Sequence, residues 1–319
     1  MEDTRALIGA FLQGGPSSMS RRAPFFIVTA LAAGCGGSTP EPVTPVTVTE
    51  PPAPEPAAQT EPPPPQPEQP PAPPPLAIAR LRVMHVAALS AERRLDAFVG
   101  PVTEQSQPTH AGLEFGGIGP YREVSIGTAE APGPLSVTVR AEGATPASVE
   151  LRPTPNQAIS AFAITDGSNR GALAIVSAHD ASEAPAAEAI RARFLQVTYG
   201  RGPVDVCFLP TGERGSSPLF TNIAYGAFNG SGGDSHYVEV TFPGAGQLLI
   251  KEQNVRPCHG RTVGTVNLTA EDVEAMRGRN ITFIAIGRAS GRPPVPRDLV
   301  ICEDHPAPSN CRALPARPR

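Results

Sequence analysis

Short segments of alternating apolar and polar residues dominate the chain after residue 76. RLRVMHVAAL (80–89), LSVTVRA (135–141) and ISAFAIT (159–165) are rich in Val, Ile and Ala, and Gly, Pro and Asp separate them. Such runs between turn residues are typical of β-strands. Their spacing, near 8 to 12 residues, favours antiparallel sandwiches. The pattern therefore predicts an all-β fold built from immunoglobulin-like β-sandwiches.

The strand pattern occurs twice along the chain. The three segments above correspond, in the same order, to RARFLQVTY (191–199), QLLIKEQ (247–253) and NITFIAIG (280–287). Three further pairs are ALAIVSA (172–178) with RDLVIC (297–302), RLDAFVG (94–100) with PVDVCFL (203–209), and GIGPYREVSI (117–126) with DSHYVEVTF (234–242). Six matched segments indicate a duplicated unit. We expect tandem sandwich repeats at residues 77–182 and 189–302, followed by a C-terminal tail at 303–319.

One segment has helical rather than strand character. In LTAEDVEAMRG (268–278), Thr269 is suited to cap the first turn, with Asp272 three residues on, and Gly278 is suited to end it. A helical turn at the start of EAPAAEAIRARF (183–194) is the other candidate, but Ile190 onward fits a strand better.

The most apolar stretch of the chain is APFFIVTALAAGCGG (23–37). The run from Ala23 to Gly34 is twelve residues long and spans about 18 Å as a helix, too short for a hydrocarbon core of about 30 Å. Arg21 and Arg22 precede the run and small residues follow it, which is the order of a signal peptide. Leu-Ala-Ala-Gly-Cys (31–35) resembles the bacterial lipoprotein signal, which implies lipidation of Cys35. Residues 1–35 are the expected signal peptide, with Met19 as the working start; a plain secretory signal is the alternative.

Residues 36–76 form a proline-rich linker that we expect to be disordered. Seventeen prolines and no Lys or Arg lie between Gly36 and Pro75, so the segment has too little apolar surface to offset its ordering entropy. In polyproline II geometry it would reach up to roughly 120 Å. The alternative to a spacer is that EPPPPQPEQPPAPPP (61–75) binds a proline-recognising groove.

Charge and hydropathy limit the partners. The formal net charge is −4 and the pI about 5.9, so nucleic acid is not an expected partner. The sequence has no second long apolar run, so we expect the protein to be attached to a membrane only through its N-terminal lipid. These features predict a lipid-anchored protein of the bacterial cell envelope. Gly36 stands where an inner-membrane retention signal has Asp, which favours the outer membrane.

Four cysteines remain in the predicted mature body, all in or just after the second repeat. An even number in an oxidising compartment indicates disulfides. Three connectivities are open, and we favour Cys207 with Cys258 and Cys302 with Cys311. A metal site with His259 and His305 is the weaker alternative, because no C-x-x-C spacing is present. We expect no metal and no cofactor.

Motifs for catalysis are missing from the sequence. It contains no G-x-S-x-G, H-E-x-x-H or G-x-x-x-x-G-K, so we do not expect an enzyme. The alternative is an envelope hydrolase acting on glycan or peptide. Asp96 with Glu123, and Asp205 with Glu239, correspond in the two repeats and raise the hypothesis of a repeated calcium site. His85 is interpreted as a packed, hydrogen-bonded histidine.

Five aromatic residues are the candidates for ligand binding. Tyr121 and Tyr237 correspond in the two repeats, and tyrosine rings stack on sugars, although a core role is the alternative. The insertion at 209–237 carries Phe220, Tyr225 and Phe228 among Gly and Ser. Aromatic residues on loops of a rigid sandwich are a common binding arrangement; here the alternative is an ordinary strand.

Four segments show a family resemblance: RVMHVAALSAERRLDAFVG (82–100), RARFLQVTYGRGPVDVCFL (191–209), FTNIAYGAF (220–228) and ITFIAIG (281–287). They resemble the bacterial domain-of-unknown-function family 4397, which is typically secreted or lipid-anchored and occurs in tandem. Gln196 departs from the family's usual His, present in the first copy as His85, and Cys207 replaces an aromatic residue. The resemblance implies envelope β-sandwiches without known catalytic residues. We therefore expect a structural, adhesive or ligand-binding module, with an envelope glycan or protein as its ligand.

Overall fold

The computed structural model describes residues 74–89, 93–168, 171–230, 235–288, 298–304 and 310–315. The predicted signal peptide with Met19 and Cys35, and the proline-rich linker as far as residue 73, lie outside the described residues. His305 lies outside them as well.

The first repeat is a sandwich of two four-stranded sheets. One sheet has the order β4-β1-β7-β8 and the other β3-β2-β5-β6. β1 and β7 are parallel, and every other pair in these sheets is antiparallel. The strands are β1 (Leu76–His85), β2 (Leu95–Val99), β3 (His110–Leu113), β4 (Arg122–Thr128), β5 (Leu135–Ala141), β6 (Ala147–Leu151), β7 (Ala158–Thr165) and β8 (Leu173–His179).

The second repeat has the same strand arrangement with additions at its edges. One sheet has the order β11-β10-β14-β15; the other has β12-β9-β16-β17-β18, with β13 also paired to β9. Here β9 and β16 are the parallel pair. The all-β, tandem-sandwich prediction is therefore confirmed. The strands are β9 (Ile190–Tyr199), β10 (Val204–Pro210), β11 (Ser217–Ile223), β12 (Ala227–Phe228), β13 (Val238–Val240), β14 (Gly246–Glu252), β15 (Thr262–Leu268), β16 (Arg279–Arg288), β17 (Asp298–Glu303) and β18 (Asn310–Pro315).

Every second side chain of each strand points into the core of its own sandwich, so each repeat has a separate hydrophobic core. Leu81 and Val83 of β1 belong to the core of the first repeat, whereas Ala192 and Phe194 of β9 belong to the core of the second. Successive side chains of a strand point to opposite faces of its sheet. The residues between these positions therefore point out of their own sandwich.

A third apolar cluster joins the two sandwiches. Met84 and Phe162 from the first repeat pack with Leu195 and Ile284 from the second. β7 is buried along its whole length, and β1 from Leu81, β9 from Ala192 to Val197 and β16 from Asn280 to Ile286 are buried on both faces. The outer faces of these two sheets pack against each other, and we call this contact the inter-repeat interface.

The predicted helix is confirmed as α1 (Ala270–Met276). Thr269 is the N-cap: its hydroxyl accepts from the Asp272 amide, and the Asp272 carboxylate accepts from the Thr269 amide. This reciprocal pair satisfies two donors at the helix start. Gly278 follows with φ +67°, a backbone conformation suited to glycine. Within the described ranges, no helix is long and apolar enough to cross a membrane.

Both favoured disulfides are confirmed. Cys207 on β10 bonds Cys258, with their Cα atoms 5.9 Å apart. Cys302 and Cys311 are cross-strand partners of β17 and β18, with a Cα separation of 4.1 Å. Residues 310–315 of the predicted tail therefore form a strand of the sheet, because pairing to β17 satisfies their backbone groups; residues 305–309 and 316–319 lie outside the described part.

We expect the two disulfides to contribute unequally to stability. The bonded cysteines are 51 positions apart in Cys207–Cys258 and 9 positions apart in Cys302–Cys311. The entropy that a disulfide removes from the unfolded chain grows with the length of the loop it closes. Replacing Cys207 and Cys258 with Ser should lower the free energy of unfolding by about 4 kcal/mol, and replacing Cys302 and Cys311 by about 3 kcal/mol. Urea denaturation of the two double variants measures both losses. A larger loss for the Cys302 and Cys311 variant would contradict the expectation.

Candidate functional site

Two arginines and two aspartates are buried at the inter-repeat interface, and we call Arg82, Arg193, Asp180 and Asp304 the buried ionic cluster. Arg82 lies on β1 between Leu81 and Val83, so it points out of its own sandwich towards the second repeat. Arg193 has the same place on β9. Asp180 follows the end of β8, and Asp304 follows the end of β17. All four side chains are fully buried.

The ion pairs cross from one repeat to the other. Arg82 of the first repeat pairs through Nη2 with Oδ1 of Asp304 in the second. Arg193 of the second repeat pairs through Nη2 with Oδ1 of Asp180 in the first, at 2.5 Å. Contacts within a repeat are longer: Arg82 Nη2 lies 3.8 Å from Asp180 Oδ1, and Arg193 Nη2 lies 3.9 Å from Asp304 Oδ2. The cluster therefore has approximate twofold symmetry.

Hydroxyl groups from the same repeat complete each half of the cluster. Asp180 accepts hydrogen bonds from Tyr121 Oη at 2.6 Å and from Ser160 Oγ at 2.8 and 2.9 Å. The same roles in the second repeat belong to Tyr237 and Thr282, which donate to Asp304 Oδ2 at 2.6 and 2.5 Å.

Each arginine also makes a second set of contacts. Arg82 Nε donates to Ser160 Oγ at 2.6 Å, and Arg193 Nε donates to Thr282 Oγ1 at 2.7 Å. The Arg82 guanidinium lies 4.8 Å from the Tyr121 ring centre, and that of Arg193 lies 4.5 Å from the Tyr237 ring centre. These contacts supply the hydrogen-bond partners that buried charges need.

The electrostatics favour the charged forms of Arg82, Arg193 and Asp180 and the neutral forms of the two tyrosines. Burial alone would raise the pKa of Asp180, but the Arg193 and Arg82 guanidiniums outweigh it, and the pKa lies below its ordinary value. Burial alone would lower the pKa of Arg82, yet the two carboxylates raise it. Burial, followed by the nearby carboxylates, raises the pKa of Tyr121 and of Tyr237. These pKa shifts therefore oppose the transfer of a proton from Arg82 or from either tyrosine to Asp180.

This geometry supports a structural role. A catalytic acid or base must reach a substrate and change its protonation state, whereas these side chains are inaccessible to solvent and bound to one another. The cluster instead fixes how the two sandwiches are placed, since each arginine reaches its crosswise aspartate in this arrangement of the repeats.

The five candidate ligand-binding aromatic residues make internal contacts. Tyr121 and Tyr237 belong to the cluster described above, and both point into the inter-repeat interface. Phe220 lies in the second core, with its ring centre 5.9 Å from that of Phe194. Phe228 is buried at the interface, 5.6 Å from Phe162 of the first repeat.

Tyr225 also connects the two repeats. Its hydroxyl donates to the Thr165 carbonyl of the first repeat at 2.7 Å, and its ring meets Tyr199 edge to face. The structure therefore uses the aromatic half of the 209–237 insertion for packing; residues 231–234 of that insertion lie outside the described part.

The carboxylates of the calcium hypothesis are not brought together. Asp96 accepts from the Gly112 amide at 2.7 Å, and Asp205 accepts from the Asn222 amide at 2.9 Å. Glu123 and Glu239 are exposed and lie in the opposite sheet of each sandwich. Among the described residues, no group of three or more His, Cys, Asp or Glu is placed to hold a metal ion.

His85 is fully buried on β1, with Nε2 3.1 Å from the Arg93 carbonyl. Burial lowers its pKa, with the Arg93 contact as a smaller opposing influence. A neutral ring at physiological pH follows from this environment. Gln196 occupies the matching position on β9 and is buried too.

Sequence reasoning missed the buried ionic cluster, although a signal was present. Arg82 and Arg193 fall at matching positions of two apolar strand segments, and Asp180 and Asp304 fall at matching positions after the repeats' last matched strands. A charged residue that recurs inside an apolar run is unusual, since buried charges are costly unless paired. The matching positions alone do not say which aspartate each arginine meets.

Removing one member of the cluster should be strongly destabilising. Arg82→Met removes the closer ionic partner of the buried Asp304 and leaves only the 3.9 Å contact with Arg193, so we expect the free energy of unfolding to fall by roughly 3 to 5 kcal/mol. Arg80→Met is the matched control, because Arg80 lies on the same strand but is exposed, 4.0 Å from Glu123; its loss should stay within about 0.5 kcal/mol. Urea denaturation of both variants is the measurement.

A double-mutant cycle tests the crosswise pairing itself. Arg82→Met combined with Asp304→Asn should cost less than the sum of the two single losses, because the second change removes the charge that the first leaves unpaired. Strictly additive losses would show that the two residues do not interact across the interface.

The lowered pKa of Asp180 predicts a loss of stability in acid. A carboxyl whose pKa is lower in the folded protein than its ordinary value of about 3.9 contributes stability above that pH. The contribution disappears as the pH falls through the folded value. Asp180→Asn should be less stable at neutral pH and should lose less free energy of unfolding between about pH 4 and 2 than the wild type. Parallel pH curves for the two proteins would contradict this expectation.

A scan against protein-family models gave no match to this chain, and a search of curated proteins gave no significant match.

Proposed function

We propose that the protein is a bacterial cell-envelope lipoprotein that displays its two sandwiches as one unit and has a structural, adhesive or ligand-binding role. Cys35 is the proposed attachment point, and the proline-rich segment is the proposed spacer. The sequence Leu-Ala-Ala-Gly-Cys at 31–35 carries this proposal. The resemblance to family 4397 supports it, because members of that family are typically secreted or lipid-anchored.

The disulfides agree with an oxidising compartment. Cys207–Cys258 and Cys302–Cys311 use all four cysteines downstream of Cys35. Disulfides persist in secreted and periplasmic proteins and are rare in the cytosol. The pairing therefore supports export of the folded body.

The inter-repeat interface supports a display role. The buried ionic cluster and the apolar contacts around it join the two sandwiches, so a ligand would meet a body whose two halves have a fixed relation. A rigid scaffold with exposed loops is a common arrangement for binding. The proposed role does not include catalysis, since Asp180 and Asp304 are bound to internal partners.

Lipidation of Cys35 is tested on the full-length chain expressed in a bacterial host. The wild type should partition into the membrane fraction and carry a lipid-sized mass increment, and Cys35→Ala should lose both. A diacyl group plus an amide-linked chain exceeds the two signals that stable anchoring needs, at about 0.8 kcal/mol per buried methylene. Ser38→Ala, close by in the same segment, is the matched control and should behave like the wild type.

A second variant, Gly36→Asp, tests whether the protein is anchored in the outer or the inner membrane. Gly36→Asp introduces the residue of the inner-membrane retention signal, so this variant should move to the inner-membrane fraction on a density gradient while the wild type stays with the outer membrane. An unlipidated wild-type chain would overturn the proposed anchoring.

A further inference from the structure

An open groove of about 620 Å³ lies at one end of the first sandwich. The segment before β2 contributes Arg93 and Arg94, and the end of β5 contributes Arg140 and the turn that follows it. We call this the arginine groove. It is lined by Arg93, Arg94, Asp96, Arg140, Ala141, Glu142 and Gly143.

Two of the three arginines are oriented without using a carboxylate. Arg93 Nη1 donates to the Gly143 carbonyl at 3.2 Å, and the Arg140 guanidinium lies over the Phe98 ring at 5.1 Å. Arg94 is paired with Glu114 at 3.2 Å, both largely exposed. Among the residues that the structure describes, neither Arg93 nor Arg140 has an acidic side chain within ion-pair distance. Two guanidinium groups are therefore available to an anion.

The matching end of the second repeat is built differently. Gly202 and Pro203 precede β10 where Arg93 and Arg94 precede β2. Lys251 is the cross-strand partner of Asp205, as Arg140 is of Asp96, but its Nζ donates to the Cys258 carbonyl at 2.6 Å.

Two arginines at that end of the second repeat share one carboxylate. Arg201 and Arg261 both contact Glu252, at 3.0 and 2.5 Å. The same sandwich therefore forms without a cluster of uncommitted arginines. The shared strand arrangement of the two repeats therefore does not account for the arginines of the groove.

We propose that the arginine groove is a binding site for an acidic glycan. A guanidinium presents paired N–H donors that match carboxylate, phosphate or sulfate groups. Asp96 and Glu142 add acceptors for sugar hydroxyls, a combination that suits a ligand with both hydroxyl and anionic groups better than a plain polyanion. The volume lies within the range of about 300 to 1,000 Å³ that is usual for small-molecule sites. This inference names a ligand class for the proposed display role, but binding itself does not depend on the lipid anchor.

Calorimetric titration of the full-length protein in detergent tests the site. Trigalacturonate, with three carboxylates, and a sulfated disaccharide are the acidic probes, and maltotriose is the neutral one. At least one acidic probe should bind saturably and more weakly as salt rises, because exposed charges are screened; maltotriose should not bind. Arg93→Gln and Arg140→Gln should each weaken binding at least tenfold, which corresponds to about 1.4 kcal/mol.

Arg152→Gln is the matched control, because Arg152 is an exposed arginine of the same sandwich outside the groove. It removes the same charge and should bind like the wild type. Near-UV circular dichroism shows that each variant keeps its fold. Equal binding by all variants, or binding of neither acidic probe, would overturn the site.

Two further measurements distinguish a glycan from phosphate or a lipid surface, and distinguish failure of the groove from failure of the lipid anchor. Inorganic phosphate should compete only weakly, and phosphatidylglycerol vesicles should not bind the Cys35→Ala chain. Binding of the vesicles without binding of the sugars would overturn the glycan class in favour of a lipid surface. Cys35→Ala should bind the acidic sugar with wild-type affinity, so failure of lipidation and failure of the groove give different results.

Discussion

The arrangement of the whole body depends on four buried charges at the inter-repeat interface. Burying an ion costs several kcal/mol unless it meets an opposite charge and further hydrogen bonds. Arg82 and Arg193 each find the required carboxylate in the other repeat. Within its own repeat each arginine lies 3.8 or 3.9 Å from the aspartate, so the short ion pairs form only between the repeats.

The apolar layers are built around this constraint. The strands β1 and β9 alternate between their own core and the interface, as Leu81 and Arg82 show on β1 and Phe194 and Arg193 show on β9. Both faces of these two strands are therefore buried at the interface. Because the hydroxyls of Tyr121 and Tyr237 complete the ionic contacts, two rings that could have served as exposed ligand contacts are committed to the interior.

Divergence between the repeats is concentrated at their edges and ends. The second repeat adds β18, held by Cys302–Cys311, and pairs Arg201 and Arg261 with Glu252. The first repeat keeps Arg93 and Arg140 facing an open groove. The interface must stay matched because both halves meet there, whereas the ends face solvent and are free to differ.

The sequence by itself determined the β class, the duplication and the capped helix at 270–276, because each can be read from residue patterns along the chain. It favoured the two cysteine pairs but left the other connectivities open. It also supplied both halves of the ionic cluster, as a charge repeated inside apolar strands. Only the tertiary structure decided that Arg82 pairs with Asp304 rather than with Asp180. A strand pattern indicates which side chains point away from a sheet's own core. The residues that cover that outer face belong to another sheet, as the 222 positions between Arg82 and Asp304 show, and no local signal encodes that contact.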